Sequence, residues 1–580
     1  MAGLGRSPLA LTAVGALAAA LVPAAALAAA PAHRTAAAPY IAERVYVETQ
    51  VDSDGNGRKD RVAIDINRPS SGKVPAILEH TPYKDGLNQA PNHNVDVNKL
   101  PQESTSFTDG AIPREPKPIR KSNLRGYMFD ELLADGYATI AGQSIGTSGS
   151  DGCPTSGDMQ EALGGVAIVD WLNGRAKGYN SSGQEVRADW ATGKVGMTGV
   201  SYNGTLPNMV AATGVEGLAA IIPVAAIADW YDYYRANGLV VAPGGYQGED
   251  ADVLAKAVVK KGGSCAGQIN KLTQQQGREH GDYTQFWKDR AYVDKVDKVK
   301  AAVLVVHGMG DWNVKGAHYA KWYRALAKAN KPRRILLHRG GHGTGSSFPG
   351  YNQLLTRWWD KYLKGVDNGV DREPKADVDV DGTWKKFADW PDPAAKEVTY
   401  QLGAKDATNP GTLTAGAPAG TTPQSFTDEG RSAKVGTLIG GGNAAKGGRL
   451  IYLTEPVSGN KRITGTVRVK LNVAVENKTA ANLTVALASY DSSGNATHIT
   501  RGWADPQNAT SLEKGTPLTP GKAVTVTFDL EPQDRAIASG RRLGIVVLST
   551  DSDYTLRPPA GTKLRVDPAG SEVTFRLADN

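Results

Sequence analysis

Cysteine is almost missing: the 580 residues hold two, Cys153 and Cys265. That excludes a small scaffold stapled by several bridges. Phenylalanine is scarce as well, at 8 residues against 67 glycines, which suits a loop-rich α/β or β protein. The net charge is +7, yet no block of Lys or Arg runs beyond pairs such as Lys260–Lys261. Without a basic block there is no footprint for a nucleic acid. Past the first thirty residues, no stretch is long and apolar enough to span a bilayer.

The N-terminus carries an address. Arg6 supplies a positive start, residues 8–23 are an apolar run of Ala, Leu and Val, and Ala26-Leu27-Ala28 forms an A-x-A cleavage site. Residues 1–30 are therefore expected to be a signal peptide, with an uncleaved anchor as the alternative. Residues 31–40 read as a disordered leader. The mature chain is expected to be soluble, secreted and free of the membrane. In an exported chain two thiols more often pair than stay free, so Cys153 and Cys265 are expected to form a disulfide; two buried thiols are the alternative.

From 41 to 375, strands alternate with helices, which implies a mostly parallel sheet. Residues 225–294 break the alternation with aromatics, glycines and helical pattern, and are expected to form a cap over the C-terminal edge of the sheet. From 376 to 580 the pattern becomes short alternating runs split by Gly, Pro, Asn and Asp, an all-β jelly-roll sandwich. Early in the chain, residues 52–60 read D-S-D-G-N-G-R-K-D. This opens like a calcium loop, but the twelfth position is Ala63 rather than a bidentate Glu. A polar hairpin turn gives the same letters, so no metal and no cofactor is assigned.

The chain is organised around residues 194–204, K-V-G-M-T-G-V-S-Y-N-G. A short apolar strand runs into a glycine-bracketed turn with Ser201 at its apex, and helical spacing follows. That is a nucleophile elbow. Asn203 stands where the second glycine of G-x-S-x-G belongs, a mild departure because Asn tolerates left-handed backbone. The literal G-x-S-x-G at 142–146 is rejected, since no helix follows it. A serine hydroxyl needs an oriented base, and in α/β-hydrolases the partners follow as acid and then His. Asp311 and His342 come in that order, each on a loop after a strand, where ligand-facing groups of such sheets belong. The triad is read as Ser201, Asp311 and His342. Its oxyanion hole takes the backbone N–H of Tyr202 and the phenol of Tyr83, although Tyr83 could simply pack.

At this point the chain resembles a known family. The carrying stretches include S-D-G-C-P-T-S-G-D (150–158), D-W-L-N-G-R-A (170–176), T-G-V-S-Y-N-G-T (198–205), W-Y-D-Y-Y-R-A-N-G-L-V (230–240), P-G-G-Y-Q-G-E-D (243–250), G-D-Y-T-Q-F-W-K-D-R (281–290), H-G-M-G-D-W-N-V (307–314) and H-R-G-G-H (338–342). They are similar to the bacterial Xaa-Pro dipeptidyl-peptidases, with cocaine-esterase-like acyl hydrolases as more distant relatives. The resemblance implies an α/β-hydrolase domain with a helical cap and a C-terminal non-catalytic jelly roll. It places Trp230 and Tyr233 on the aromatic proline pocket, though cap packing alone would also account for some aromatics in 230–234. It places Glu249 on the acid that grips the free amino terminus, with Tyr246 and Asn313 nearby. The implied activity is release of Xaa-Pro dipeptides from peptides with Pro at the second position. An esterase or amidase on the same scaffold is the alternative.

Overall fold

A computed structural model describes residues 40–102, 129–260 and 264–580. The expected signal peptide and all of the leader but Tyr40 lie outside the described residues; Tyr40 opens a strand. Among the described residues no helix is long and apolar enough to cross a membrane.

Twelve strands of the described residues form the first sheet. Its centre is parallel. In spatial order it runs Ala138–Gln143, Val74–Thr81, Ala191–Val200, Leu218–Val224, Ala302–Gly308, Arg333–His338 and Ala376–Val380. Antiparallel strands flank it, including the long N-terminal hairpin of Tyr40–Glu48 with Arg61–Pro69. The central strands are apolar runs because both faces are covered. Val303 and Val305 enter one core, with Leu206 and Met209 of helix Tyr202–Ala211. Leu304 and Val306 enter the opposite core, with Leu354 and Trp358 of helix Tyr351–Trp359.

One boundary differs from the sequence reading. The all-β region was expected to begin at 376, but Ala376–Val380 pairs with Arg333–His338 and turns back through Thr383–Phe387. This hairpin closes the edge of the first sheet. Its alternating letters fit an edge of either sheet, and alternation does not name a partner.

The strand–turn–helix around Ser201 is tight. Ser201 has φ 67° and ψ −128°, the left-handed side of backbone space. A Cβ on Gly199 would lie 2.5 Å from the carbonyl oxygen of Asn203. A Cβ on Gly204 would lie 2.5 Å from the oxygen of Val224 and 2.6 Å from that of Gly199. Both positions therefore require glycine for close approach. Asn203 is not the left-handed residue; it lies in the helix, and its Nδ2 donates to Glu79 Oε1 at 2.9 Å. The rejected serine, Ser144, is fully buried and donates to Glu161 Oε1 at 2.6 Å.

After strand Leu218–Val224 the chain builds short helices, Trp230–Tyr234, Ala251–Val258, Ala266–Gln275 and Gln285–Lys288. Arg235 is fully buried among them, its guanidinium bonded to Asp250, to its neighbour's carbonyl and to the carbonyls of Gln276 and Gly277. Such a charge is tolerable inside because Asp250 lies against it and both terminal nitrogens find acceptors, although its buried Nε has none among the described residues. Cys153 and Cys265 are joined by a disulfide that spans 112 residues and ties the loop before helix Met159–Leu172 to the start of Ala266–Gln275.

The C-terminal strands pair almost entirely antiparallel around one long strand, Lys563–Asp579. It bonds to Lys396–Gly403, Gln424–Thr427, Lys461–Gly465 and Arg468–Val475. Val469, Leu471, Leu487, Ile545 and Phe575 lie in its apolar core.

The disulfide generates a stability prediction. Closing a loop of this length restricts the unfolded chain, so replacing both cysteines by Ser should cost about 2–5 kcal/mol. A lower Tm for the double variant, and a matching drop for the native protein in reductant, are the expected readings. Peptide mapping without reductant should recover the linked pair.

Candidate functional site

Four parallel strands deliver the chemistry. Tyr83 follows Val74–Thr81, Ser201 follows Ala191–Val200, Asp311 follows Ala302–Gly308 and His342 follows Arg333–His338. Each residue comes after the C-terminal end of its strand, so neighbouring strands bring them to one edge. Ser201 and His342 line a single cavity of about 280 Å³. Asp311 is buried behind the imidazole, its Oδ2 2.7 Å from His342 Nδ1. A carboxylate only accepts, so Nδ1 carries the proton and Nε2 is left as the basic nitrogen. The other oxygen of Asp311 accepts from the backbone N–H groups of Asn313 and Val314, both at 2.9 Å. These bonds fix the acid in place. His307 is buried, with Nε2 2.8 Å from the Val314 carbonyl, so it braces the loop.

Tyr83 and Tyr202 line the same cavity. Tyr202 is the first residue of its helix, where the backbone N–H has no carbonyl one turn earlier to bond. Its ring meets Tyr83 edge-on at 5.9 Å, and its hydroxyl donates to Glu161 Oε2 at 2.6 Å. Burial, together with the charges of Glu249 and Glu161, pushes the Tyr83 phenol far up, so it stays a donor. Glu161 also accepts from Ser144 and from the N–H of Gly157 at 2.7 Å. Burial raises its carboxyl and these donors hold it back.

The pocket wall is aromatic. Trp230 is fully buried, and its indole N–H donates to Tyr292 Oη at 2.6 Å. Tyr233 meets Trp230 edge-on at 5.8 Å, and its hydroxyl lies 3.2 Å from Asn313 Oδ1. Lys315, buried, donates to the Tyr233 carbonyl at 2.9 Å. Glu249 lies on the cavity and accepts from the Tyr234 hydroxyl at 2.9 Å. Burial raises the Glu249 carboxyl to about 7; the Tyr234 bond lowers it and Asp250 adds to the rise.

Of the triad, oxyanion-hole and pocket residues expected from sequence, all except Asp311 line this cavity. Tyr246 does so while half exposed, so it belongs to the mouth rather than the wall. Three contributors were missed. Tyr234 holds Glu249 and is one of five consecutive residues, four of them aromatic, whose letters do not reveal which one faces inward. Lys315 anchors Tyr233 from the far side. Leu87, Asn88 and Asn92, on the loop after Tyr83, close the cavity together with Val253, Leu254 and Ala257. That loop has no periodicity to mark it. Asn88 Nδ2 donates to the carbonyls of Lys256 and Val259 at 3.0 and 2.9 Å, which docks the loop on the cap. Away from the cavity, Asp52, Asp54 and Asp60 bring carboxylates together as a metal site would.

Comparison with known proteins gives one answer along the chain. A Bacillus cereus protein provisionally named a Xaa-Pro dipeptidyl-peptidase is 45% identical over 543 residues, 92% of this chain and 90% of its own length. The Xaa-Pro dipeptidyl-peptidase of Streptococcus thermophilus is 31% identical over 596 residues, 92% of this chain and 78% of its own length. A CocE/NonD family hydrolase of Staphylococcus aureus shares the fold, with TM-score 0.66 at 16% identity over 93% of this chain and 97% of that one. Residues 54–344 match the X-Pro dipeptidyl-peptidase (S15 family), and residues 368–578 match the X-Pro dipeptidyl-peptidase C-terminal non-catalytic domain. The two matches and the similarity along most of the chain place this protein in the S15 family of X-Pro dipeptidyl-peptidases, serine peptidases of the α/β-hydrolase fold.

Proposed function

We propose that this chain is an exported serine exopeptidase that removes Xaa-Pro dipeptides from free peptide amino termini. One observation carries the reading: Ser201, His342 and Glu249 line a single cavity, with Asp311 bonded to the far side of the imidazole. Export rests on the N-terminal sequence of residues 1–30.

The geometry supports an acyl-enzyme route. Ser201 Oγ attacks the carbonyl carbon of the second residue, and His342 Nε2 takes its proton. Asp311 steadies the imidazolium that forms. The developing oxyanion accepts from the Tyr202 N–H and the Tyr83 hydroxyl. His342 then gives its proton to the departing amine, and the dipeptidyl ester on Ser201 is hydrolysed by water. Trp230 and Tyr233 offer flat apolar walls to a proline ring. Glu249 takes the α-ammonium, which fixes the cut two residues in. The test is a chromogenic panel of Ala-Pro, Gly-Pro, N-acetyl-Ala-Pro, Pro alone and simple esters. Fast turnover of N-blocked peptides or esters, with slow turnover of Ala-Pro, would move the protein to an esterase or endopeptidase.

Ser201→Ala should lower kcat by about 10⁴-fold, with His342→Ala similar and the double variant no worse. Ordinary turnover in a folded Ser201→Ala protein rules out the elbow as the reacting centre.

Tyr83→Phe should lower kcat by roughly 10–10³-fold with little change in KM, because the hydroxyl acts on charge that exists only in the transition state. An unchanged kcat removes Tyr83 from the oxyanion hole.

Glu249→Gln leaves an ammonium buried without its counter-charge, a loss of about 3–5 kcal/mol. The expected fall in kcat/KM for Ala-Pro substrates is roughly 10²–10³-fold, with a small neutral ester spared. The pH dependence follows from the burial of Glu249. Its carboxyl titrates at about 7, so below that pH a proton occupies the group that the ammonium needs. The ratio of kcat/KM for peptide over ester should rise as pH climbs through about 7. It should fall again as the substrate's α-amino group deprotonates near about 8. Glu249→Gln should flatten the rising limb. A ratio independent of pH in the native enzyme takes Glu249 out of substrate recognition.

A further inference from the structure

The turn joining strands Tyr40–Glu48 and Arg61–Pro69 places three carboxylates together, and one of them is buried. Asp52, Asp54 and Asp60 each bring an oxygen within 4.8 Å of the others. Asp52 and Asp54 are exposed, as a polar turn requires, but Asp60 is only 1% exposed. Its Oδ2 accepts from the Ser53 N–H at 2.8 Å and from the Ser53 hydroxyl at 2.7 Å. Its Oδ1 is buried and has no hydrogen-bond partner among the described residues. A carboxylate oxygen shut away from water without a donor is costly, and two carboxylates beside it add repulsion. A surface hairpin needs no such arrangement. A cation lying among the three carboxylates answers all of them.

The spacing says which cation. Asp52, Asp54, Asn56 and Asp60 stand at the first, third, fifth and ninth positions of a calcium loop, with Gly57 at the sixth and the Arg58 carbonyl at the seventh. Gly57 has φ 82°, as the sharp turn at the sixth position demands. All these ligands are oxygens, and their number exceeds the one or two carboxylates that typically hold magnesium. We propose that Asp52, Asp54, Asn56, Asp60 and the Arg58 carbonyl bind one calcium ion. The twelfth position is Ala63, fully buried in the following strand, so the bidentate ligand is missing and water completes the shell. Affinity therefore falls in the weak class of extracellular modules, with Kd about 10⁻⁴–10⁻³ M.

The ion would act beyond its own turn. Ser53 Oγ, which donates to Asp60, also accepts from the Cys153 N–H at 2.7 Å. A Cβ on Gly152 would collide with both Ser53 and Asp60, so the disulfide loop lies directly against the site. The same loop reaches Gly157, which packs against Trp230 and donates to Glu161. Calcium thus clamps the N-terminal hairpin to the loop that underlies the aromatic wall.

The test uses the full chain, stripped with chelator and then freed of it. Calorimetric titration with calcium chloride should give one site with Kd about 10⁻⁴–10⁻³ M, and magnesium chloride should bind at least about tenfold more weakly. The double variant Asp52→Asn, Asp54→Asn alters only exposed side chains, so it should fold, and it should lose calcium affinity by about tenfold or more. Limited trypsin digestion gives an independent reading, because Arg58 and Lys59 are exposed. Calcium should slow cleavage after either residue by about tenfold in the native chain and leave the variant unprotected. The proposal is overturned if no saturation occurs by about 10 mM calcium, if magnesium binds equally well, or if the variant binds as tightly as the native chain.

Discussion

The left-handed backbone of Ser201 is the constraint on which the rest depends. Holding a serine at φ 67° costs on the order of 1–3 kcal/mol, so its surroundings must over-determine it. They do so through shape and hydrogen bonds. Gly199 and Gly204 let strand and helix cross where any Cβ would collide. The Ser201 N–H donates to the Val224 carbonyl at 2.9 Å, which ties the turn to the next strand. The hydroxyl of Thr205 then donates to the Ser201 carbonyl at 2.9 Å and accepts from the Ile227 N–H at 3.0 Å. Asn208 takes the carbonyl of the same Ile227 at 3.1 Å. One turn of the elbow helix therefore fixes Ser201 and the residue from which the cap departs. The aromatic wall begins three residues later, at Trp230, whose helix is capped by Asp229. Ser201 and the pocket wall share one anchor.

The C-terminal domain holds the opposite side of the site. Gln533 donates to the Met309 carbonyl at 2.8 Å, two residues before Asp311. Trp312, next to Asp311, packs edge-on against Trp503 at 6.3 Å and tilted against Tyr554 at 5.8 Å, with the Arg501 guanidinium 5.1 Å over its ring. Its carbonyl accepts from Gly244, in the segment leading to Glu249. Glu531 accepts from the Ala317 N–H at 2.6 Å and caps the helix behind Lys315. A domain that contributes no reacting atom thus braces the loop that carries Asp311 and Asn313. Aromatic packing of this kind is rigid at low entropic cost, which suits a loop that must not drift.

Much of this was legible in the letters, for a physical reason. A nucleophile elbow needs glycine at fixed places, and the sheet's C-terminal edge needs polar residues directly after apolar strands. Both requirements are local, so the chain order Ser201, Asp311, His342 carried the site. Strands with unbroken apolar or alternating runs, such as Leu218–Val224 and Leu483–Tyr490, stood out for the same reason. The short strands Gly411–Thr414, Gln424–Thr427 and Lys461–Gly465 did not, because too few of their residues repeat to set a period. The hairpin at 376–387 fell at the start of the region read as all-β, and its place in the first sheet was not legible, since partner choice is a tertiary property. Tyr234 and Lys315 were hidden for another reason. Each acts on a neighbour that is identifiable, Glu249 or Tyr233, from a direction that only packing defines.

The electrostatics of the cavity couple its two ends. Glu249 is raised by burial and steadied by a single phenol, so its charge is under-answered until a cation arrives. The Glu249 charge, after burial, contributes to raising the Tyr83 phenol. An ionised Glu249 therefore makes it harder for Tyr83 to lose its proton. A phenol held neutral remains a donor, which an oxyanion needs, whereas a phenolate there would repel it. In the proposed reaction, an incoming ammonium would neutralise the charge seen by Tyr83 and make the phenol a more acidic and stronger donor. In the proposed reaction, occupation of the amino-terminal subsite would thereby strengthen the oxyanion hole through space. Peptide recognition and transition-state stabilisation would then be linked without any movement of the backbone.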